Sequence, residues 1–331
     1  FNVTSHYDIV IADYFNKGNE KDEVFRKSYN HSKELRYGEN PHQIGKYFGN
    51  MEELFDQVNG KELSYNNLLD IEAAIRLMKD IGNNHPFVAI FKHNNACGAA
   101  IHSNLNKAWE NALSGDPESA FGGVIIMSQK LTKEVAEKVN EHFYEVLIAP
   151  SFDNDALELL KSKKKRIILK LKKYPFERKQ FRTILNGVLQ QTHDTFVESE
   201  NELEFVTKEY PDRKKIQDLL MANIIVKHTR SNAIILWKNG KLIGSGVGQT
   251  SRVDALRHAI EKAKRFGHNL NDSVMASDAF FPFSDCVEIA HKEGVKSVIQ
   301  PGGSIRDEES IEYCNNNQMN MVFTGHRHFK H

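Results

Sequence analysis

Apolar residues fall along the chain in short blocks, and the spacing inside each block predicts what it becomes. Val88 to Phe91, V-A-I-F, is an unbroken apolar run that ends in Lys92-His93-Asn94-Asn95 and then Gly98. A short run closed by polar residues and glycine predicts a buried strand meeting a loop. The stretches Val124–Met127, Val146–Ala149 and Ile167–Leu169 with Leu171 read the same way. Elsewhere the spacing turns helical. Within Leu63 to Lys79, the residues Leu68, Ile71, Ile75, Leu77 and Met78 gather toward one helical face. Further helices are predicted around Asn106 to Leu113, from Ile216 to about His228, and from Val253 to Ala263. A-I-I-L-W-K and K-L-I-G flank Asn239-Gly240, the strongest short signal for a hairpin. Tyr7 to Phe15 is a short amphipathic segment followed by polar residues to about Lys33, which reads as a linker or the end of an upstream module. Glu198 to Tyr210 is acidic and precedes Pro211, the composition of a connection between domains.

Composition narrows the classes. The chain has 331 residues, enough for two domains of ordinary size. Its 44 basic and 44 acidic residues cancel, so no global field points toward nucleic acid or membrane. Cys97, Cys286 and Cys314 lie far apart with no C-x-x-C, which argues for a reducing compartment and against a cysteine-built metal site. No apolar run approaches the ~20 residues needed to span a bilayer, and no signal peptide opens the sequence. The first residue is Phe1 rather than Met, so the expectation is a fragment of a longer protein. One local imbalance stands out: Lys161 to Arg182 holds 11 Lys/Arg against the single acid Glu177. Such a run can contact nucleic acid, but the apolar Ile167–Leu169 interrupts it and acidic patches elsewhere balance it, so a solvated surface is expected.

The candidate chemistry starts at Lys92-His93. Lysine supplies a fixed positive charge and histidine a base that titrates near neutral pH. Adjacent on a strand they would face opposite ways, but just past its end a loop can aim both at one substrate. Read alone, the pair is an exposed Lys beside a core His. Arg36-Tyr37 precedes a turn at Gly38 and Asn40-Pro41; it is either a surface turn or a grip for an anion and a ring. Asn66 and Asn67, at a helix start, either cap or contact a ligand. Gly122-Gly123 lets backbone approach something closely, a ligand or another segment. Ile224 to Ile234 echoes the first Lys-His with Lys227-His228, which ends a predicted helix and is read as structural. Gly244 to Arg252, G-S-G-V-G-Q-T-S-R, runs into a helix and can bind an anion, though it is neither a P-loop nor G-x-G-x-x-G. Phe280, Phe281 and Phe283 around Pro282 are either core or a clamp for a flat ring. The terminal G-H-R-H-F-K-H is either frayed or docked.

Taken together, L-R-Y-G-E-N-P-H-Q, F-K-H-N-N-A-C-G, S-A-F-G-G, K-H-T-R-S-N, G-V-G-Q-T-S-R, S-D-A-F-F-P-F-S-D, Q-P-G-G-S-I-R-D and T-G-H-R-H-F resemble, in this order, the bifunctional purine biosynthesis proteins. From about Leu35 to His331 the chain is similar to their C-terminal AICAR transformylase. Before Leu35 it resembles the tail of their IMP cyclohydrolase module. The body of that module is absent, so the resemblance implies no cyclohydrolase activity for this chain alone. Ala96 departs from the proline that many members carry, a change expected to loosen the loop and spare the chemistry.

The resemblance implies an α/β fold of two cytidine-deaminase-like α/β/α units in tandem, without the deaminase zinc site. Its divisions would be 1–32 for tail and linker, 33–195 for the first unit and 196–331 for the second. His291-Lys-Glu293 mimics half of the deaminase zinc signature, but P-C-x-x-C is missing and His291 sits in a helix-like run, so no metal is expected. The implied reaction moves a formyl group from the co-substrate 10-formyltetrahydrofolate to the 5-amino group of AICAR. His93 would be the base and Lys92 the cation at the developing oxyanion. By resemblance, Arg36, Tyr37, Asn67, Gly122, Glu145, Asn232, Arg252, Phe280, Arg327 and Phe329 contact the nucleotide; Glu145 stands where some members have Asp. Val253, Asp285, Gly302 and Gly303 fall at folate positions. A cytosolic homodimer with sites at its interface, and no nucleic-acid or membrane partner, completes the expectation. The rivals are a non-catalytic assembly scaffold and a nucleic-acid binder using the basic run.

Overall fold

A computed structural model describes residues 1–16, 24–172 and 177–331. Two compact units divide it: residues 1–56, 62–66 and 172–194 form one, and 57–61, 67–171 and 195–331 the other. In the smaller unit, the amphipathic segment is a helix, Asn2–Phe15, none of whose residues is buried. Ser32–Leu35 pairs antiparallel with Gly45–Phe48, and Lys179–Ile184 pairs with Gly187–Thr192 as an exposed hairpin. Parts of the linker, 17–23, and of the basic run, 173–176, lie outside the described residues. The rest of that run is split between elements: Ile167–Leu171 is a strand with a buried apolar start, while Arg166 lies over the Tyr144 ring at 4.5 Å.

The larger unit is α/β, as the alternation of apolar patterns predicts. A twelve-stranded mixed sheet includes the strand Phe55–Asn59 at one edge and Glu204–Phe205 at the other. Each half of the unit repeats one sequence of elements: helix, hairpin, helix, then three strands with helices between them. In the first half the helix Tyr65–Ile81 leads into the hairpin Phe87–Lys92 and Asn95–Ile101, then strands Gly123–Met127, Tyr144–Ala149 and Ile167–Leu171. In the second, Arg213–Lys227 leads into Ile234–Lys238 and Lys241–Gly246, then Val274–Ser277, Ser297–Gln300 and Asn320–Phe323. The second strands of the two hairpins lie side by side, antiparallel, at the pairing of Lys241 with Ala100. From that joint the strand order runs outward identically on both sides.

The unbroken apolar runs are strands buried on both faces. Val88 to Phe91 are fully buried, with Val88 and Ile90 packing against Trp109 of the helix Leu105–Gly115. A second core gathers Ile234, Leu236, Leu256, Met275 and Val298. Gly244 and Gly246, two glycines of the stretch read as a possible anion site, serve this packing. A Cβ at Gly246 would sit 1.7 Å from the Ala255 carbonyl, and one at Gly244 2.3 Å from that of Ala259. Only hydrogen at these positions lets the helix Arg252–Arg265 lie on its strand. The acidic stretch read as a connection is partly woven into the fold: Glu198 is buried and Glu204–Phe205 pairs with the last strand.

The Lys-His echo is not a structural repeat. The element that corresponds to Lys92-His93-Asn94 is the Asn239-Gly240 hairpin turn, whereas Lys227 ends a helix. There Lys227 and His228 reach Asp80 at 2.9 and 2.8 Å. Burial works against the Asp80 carboxylate, but the His228 and Lys227 contacts outweigh it and hold its carboxyl below the usual range. Burial also pushes the His228 imidazole down. Removing one partner of a buried ion pair is costly. Asp80→Ala is therefore expected to lose on the order of 3 kcal/mol of unfolding free energy, read from a urea midpoint with unchanged slope.

Candidate active site

Lys92 is the last residue of its strand, and His93-Asn94 is the whole connection to the next. Both turn residues have positive φ, 51° and 64°, as a two-residue type I′ hairpin turn requires. The expected strand-to-loop exit is thus a tight hairpin. Sequence reading missed it because His-Asn lacks the glycine that usually marks such a turn. The turn is held from several sides. Asn94 N–H donates to the Asp70 carboxylate at 2.5 Å. Asn95 Nδ2 donates to the His93 carbonyl at 2.8 Å. Arg230 N–H, from the second motif, donates to Asn95 Oδ1 at 2.9 Å.

Inside this frame the two central side chains differ. Lys92 Nζ donates to the carbonyls of Phe121 at 2.9 Å and Gly122 at 3.3 Å. An ammonium has three N–H groups, and the third makes no hydrogen bond among the described residues. Gly122 has φ 69°, and a Cβ there would stand 3.4 Å from the Lys92 nitrogen. The Phe143 ring would stand equally near, and the tighter approach is at Gly123, where a Cβ would lie 2.9 Å from the Phe91 carbonyl. The His93 side chain is exposed and makes no hydrogen bond among the described residues. Cys97, on the second hairpin strand, is excluded as a nucleophile: burial, with help from Asp116, pushes its thiol up to about 12.

Other candidates gather in pairs. Asn67 is buried and its Nδ2 donates to Glu145 at 3.0 Å; Lys61 lies 3.6 Å from the same carboxylate. Asn66 does not cap its helix but donates from Nδ2 to the Glu39 carbonyl. Arg252 is buried, donating to Asn232 Oδ1 at 2.9 Å, to Ser277 Oγ at 3.0 Å, and to the Asp278 carboxylate. In the smaller unit, the Arg36 guanidinium donates to the Tyr37 hydroxyl at 3.0 Å, beside a turn closed by Gly38 N–H on the Gln43 carbonyl.

The aromatic cluster divides by burial. Phe281 is core, whereas Phe280 and Phe283 are exposed, with Arg306 over the Phe283 ring at 4.8 Å. Val253 packs partly against the second core, and Asp285 accepts the N–H of Cys286. Gly302 and Gly303 have φ 71° and 97°; a Cβ on Gly302 would strike the Phe323 ring at 2.5 Å. None of these four folate candidates is tied to Lys92 or His93 by a hydrogen bond among the described residues. His291 meets the Tyr313 hydroxyl at 3.2 Å and Glu293 pairs with Lys264.

The C-terminus is docked. His328 is buried, and its Nε2 lies 2.8 Å from Glu198. Ser231 N–H donates to the Lys330 carbonyl, and Lys330 Nζ donates to the His228 carbonyl at 2.8 Å, with the Asn94 carbonyl at 3.4 Å. Alternation along this extended tail turns Arg327 and Phe329 outward, the guanidinium 4.3 Å from the ring centroid. The last residues thus help fasten the Lys92-His93 turn.

This is an α/β protein in which one hairpin carries, at successive residues, a lysine held by two carbonyls and an exposed histidine whose ring makes no hydrogen bond among the described residues. The chain belongs to the AICARFT/IMPCHase bienzyme family, whose model matches residues 1–262. It is 56% identical over 331 residues to the bifunctional purine biosynthesis protein PurH of Bacteroides thetaiotaomicron, covering 100% of this chain and 64% of that protein. It is 44% identical to PurH of Persephonella marina and 42% to that of Aquifex aeolicus, in each case over 100% of this chain and 66% of the relative. The chain therefore spans a little under two thirds of the curated relatives it matches.

Burial, reinforced by Arg76, pushes the Lys330 ammonium down to about 8. Its ordinary value in an unfolded chain is about 10.4. Between those values the native chain binds fewer protons than the unfolded one, so this group's contribution to stability rises with pH. The stability of the wild type relative to Lys330→Met should be flat below pH ~8 and shift in favour of the wild type toward pH ~10, measured by urea denaturation at each pH.

Proposed function

We propose that this chain is an AICAR formyltransferase, moving the formyl group of 10-formyltetrahydrofolate to the 5-amino group of AICAR in purine biosynthesis. The observation that carries the reading is the turn itself: an ammonium with one free N–H beside an imidazole open to solvent, in a chain of this family. The acceptor amine is conjugated with its imidazole ring and carboxamide and is a poor nucleophile. As its nitrogen attacks the formyl carbon, His93 takes the amine proton. Lys92 stabilises the oxyanion that forms. The bond to the folate nitrogen then breaks, and that nitrogen takes up a proton, from Lys92 or the His93 imidazolium.

In this reading Asn67, Gly122, Glu145, Asn232, Arg252, Phe280, Arg327 and Phe329, with Arg36 and Tyr37, contact the nucleotide. Val253, Asp285, Gly302 and Gly303 contact the folate. The reading includes a cytosolic homodimer with sites at its interface, no metal in the chemistry, no nucleic-acid or membrane partner, and cyclohydrolase activity only in a longer parent. Among the described residues no helix is long and apolar enough to cross a membrane. The mirrored order of strands about the central joint supports two α/β units in tandem; the reading takes them as cytidine-deaminase-like, with bounds 33–195 and 196–331 after a 1–32 tail.

The test is an absorbance assay for tetrahydrofolate formation from AICAR and 10-formyltetrahydrofolate. The wild type should turn over. His93→Ala should lose ~10²–10⁴-fold in rate with much smaller loss of AICAR binding. Lys92→Arg keeps the charge but replaces a compact, rotatable donor by a planar fork, and should bind nucleotide while losing most turnover. Absence of formyl transfer by the wild type, or full activity of His93→Ala, would overturn the reading.

Arg327 and Phe329 face outward from a tail pinned by His328 and Lys330, so their roles are separable from folding. Arg327→Ala should weaken AICAR binding in calorimetry while the melting temperature stays within a few degrees of the wild type. An unchanged affinity would remove Arg327 from the site.

A further inference from the structure

We propose that Asp70 is a positioning residue for the Lys92-His93 turn, its carboxylate fixing the turn through the backbone while placing a negative charge close to the two reacting side chains. The inference rests on the formyl-transfer reading and deepens it.

Asp70 lies three residues after Asn67 on the helix Tyr65–Ile81, so the two share a helical face. Asn67 reaches Glu145, and Asp70 reaches the Asn94 N–H. Left-handed backbone at two consecutive non-glycine residues is unfavourable unless the surroundings impose it. At this turn Asp70 holds the amide side, Asn95 holds the His93 carbonyl, and Lys330 lies against the Asn94 carbonyl. Any small acceptor at position 70 could receive that amide. A carboxylate also brings a negative charge to this place, and the positive charges of His93 and Lys92 favour its ionised form.

The charge is kept at a cost. Burial raises the Asp70 carboxyl above its ordinary range, and the Asn94 N–H and the positive charge of His93 and Lys92 offset this only in part. A carboxyl raised by folding lowers stability once ionised, so at neutral pH the fold would gain from a neutral side chain there. Retaining a partly desolvated anion beside a base fits a functional demand. When His93 takes the proton of the attacking amine it becomes a cation, and Asp70 is placed to favour that state and hold the ring's backbone still. Asp70 touches no reacting atom in this scheme.

The experiment compares the full chain as wild type, Asp70→Asn, Asp70→Ala and His93→Ala in the tetrahydrofolate assay and in thermal melts. Asp70→Asn keeps an acceptor for Asn94 and removes the charge. It should melt at or above the wild type and hold its AICAR KM within about threefold. Its kcat should fall on the order of tenfold, part of the range for a positioned acid–base group. Asp70→Ala, lacking the acceptor too, should lose both melting temperature and kcat. Wild-type kcat in Asp70→Asn would overturn the proposal and leave Asp70 a turn cap. A joint fall of melting temperature and kcat in Asp70→Asn would do the same. If the wild type is inactive, or His93→Ala is not impaired, the formyl-transfer reading fails first and this inference falls with it. Failure confined to Asp70→Asn spares that reading.

Discussion

The larger unit's candidate site depends on a two-residue turn whose backbone would not hold its shape alone. His93 and Asn94 both occupy the left-handed region, where residues with a Cβ are strained. The hydrogen bonds that impose this conformation come from far apart in the chain: Asp70 from the preceding helix, Arg230 from the second half, and Lys330 from the terminal tail. The consequence is a histidine fixed by its backbone while its ring stays open to solvent. Lys92, one residue earlier, is fixed by its side chain instead, through two carbonyls at Phe121 and Gly122.

The mirrored halves of the sheet explain how such distant residues meet. Because the two hairpins abut along their second strands, the helices that precede them approach through Asp80, Lys227 and His228. The same arrangement brings the segment after Lys227 against the Lys92-His93 turn. Here the two Lys-His pairs part company. One pair ends a strand and exposes an imidazole; the other ends a helix and buries an ion pair. Their likeness in sequence marks neither the repeat nor shared chemistry. The repeat lies in the order of elements, and its counterpart of the His93 turn is Asn239-Gly240, where glycine supplies the conformation that His93-Asn94 must be held in.

Much of the fold was legible because apolar spacing reports burial directly. Val88–Phe91, the Tyr65–Ile81 helix and the hairpin around Asn239-Gly240 all follow from which positions exclude water. The candidate at Lys92-His93 was not legible from the dipeptide, which alone reads as an exposed Lys beside a core His; the ordered motifs around it drew attention there, and the structure shows the exposure to lie with His93. Gly122-Gly123 was marked by composition, although the backbone that Gly123 accommodates, the Phe91 carbonyl, was not. Asp70 went unnoticed since a lone acid on a helix resembles any solvated residue until the chain folds. At Gly244 and Gly246 the sequence showed only glycines before a helix, and the packed position of Ala255 and Ala259 shows them serving helix contact.

By itself, then, the sequence determined where many of the strands and helices form and which runs are core, and offered one dipeptide as a candidate base and cation. These are local properties, set by hydrophobic period, turn chemistry and side-chain pKa. Tertiary structure alone decided that Asp70, Arg230 and Lys330 converge on one turn, that Arg252 is held by Asp278, and that His328 locks the tail to Glu198. Such pairings join residues many positions apart. A hydrogen bond depends on distances of a few ångströms, and no local pattern encodes which remote segment will supply the other partner.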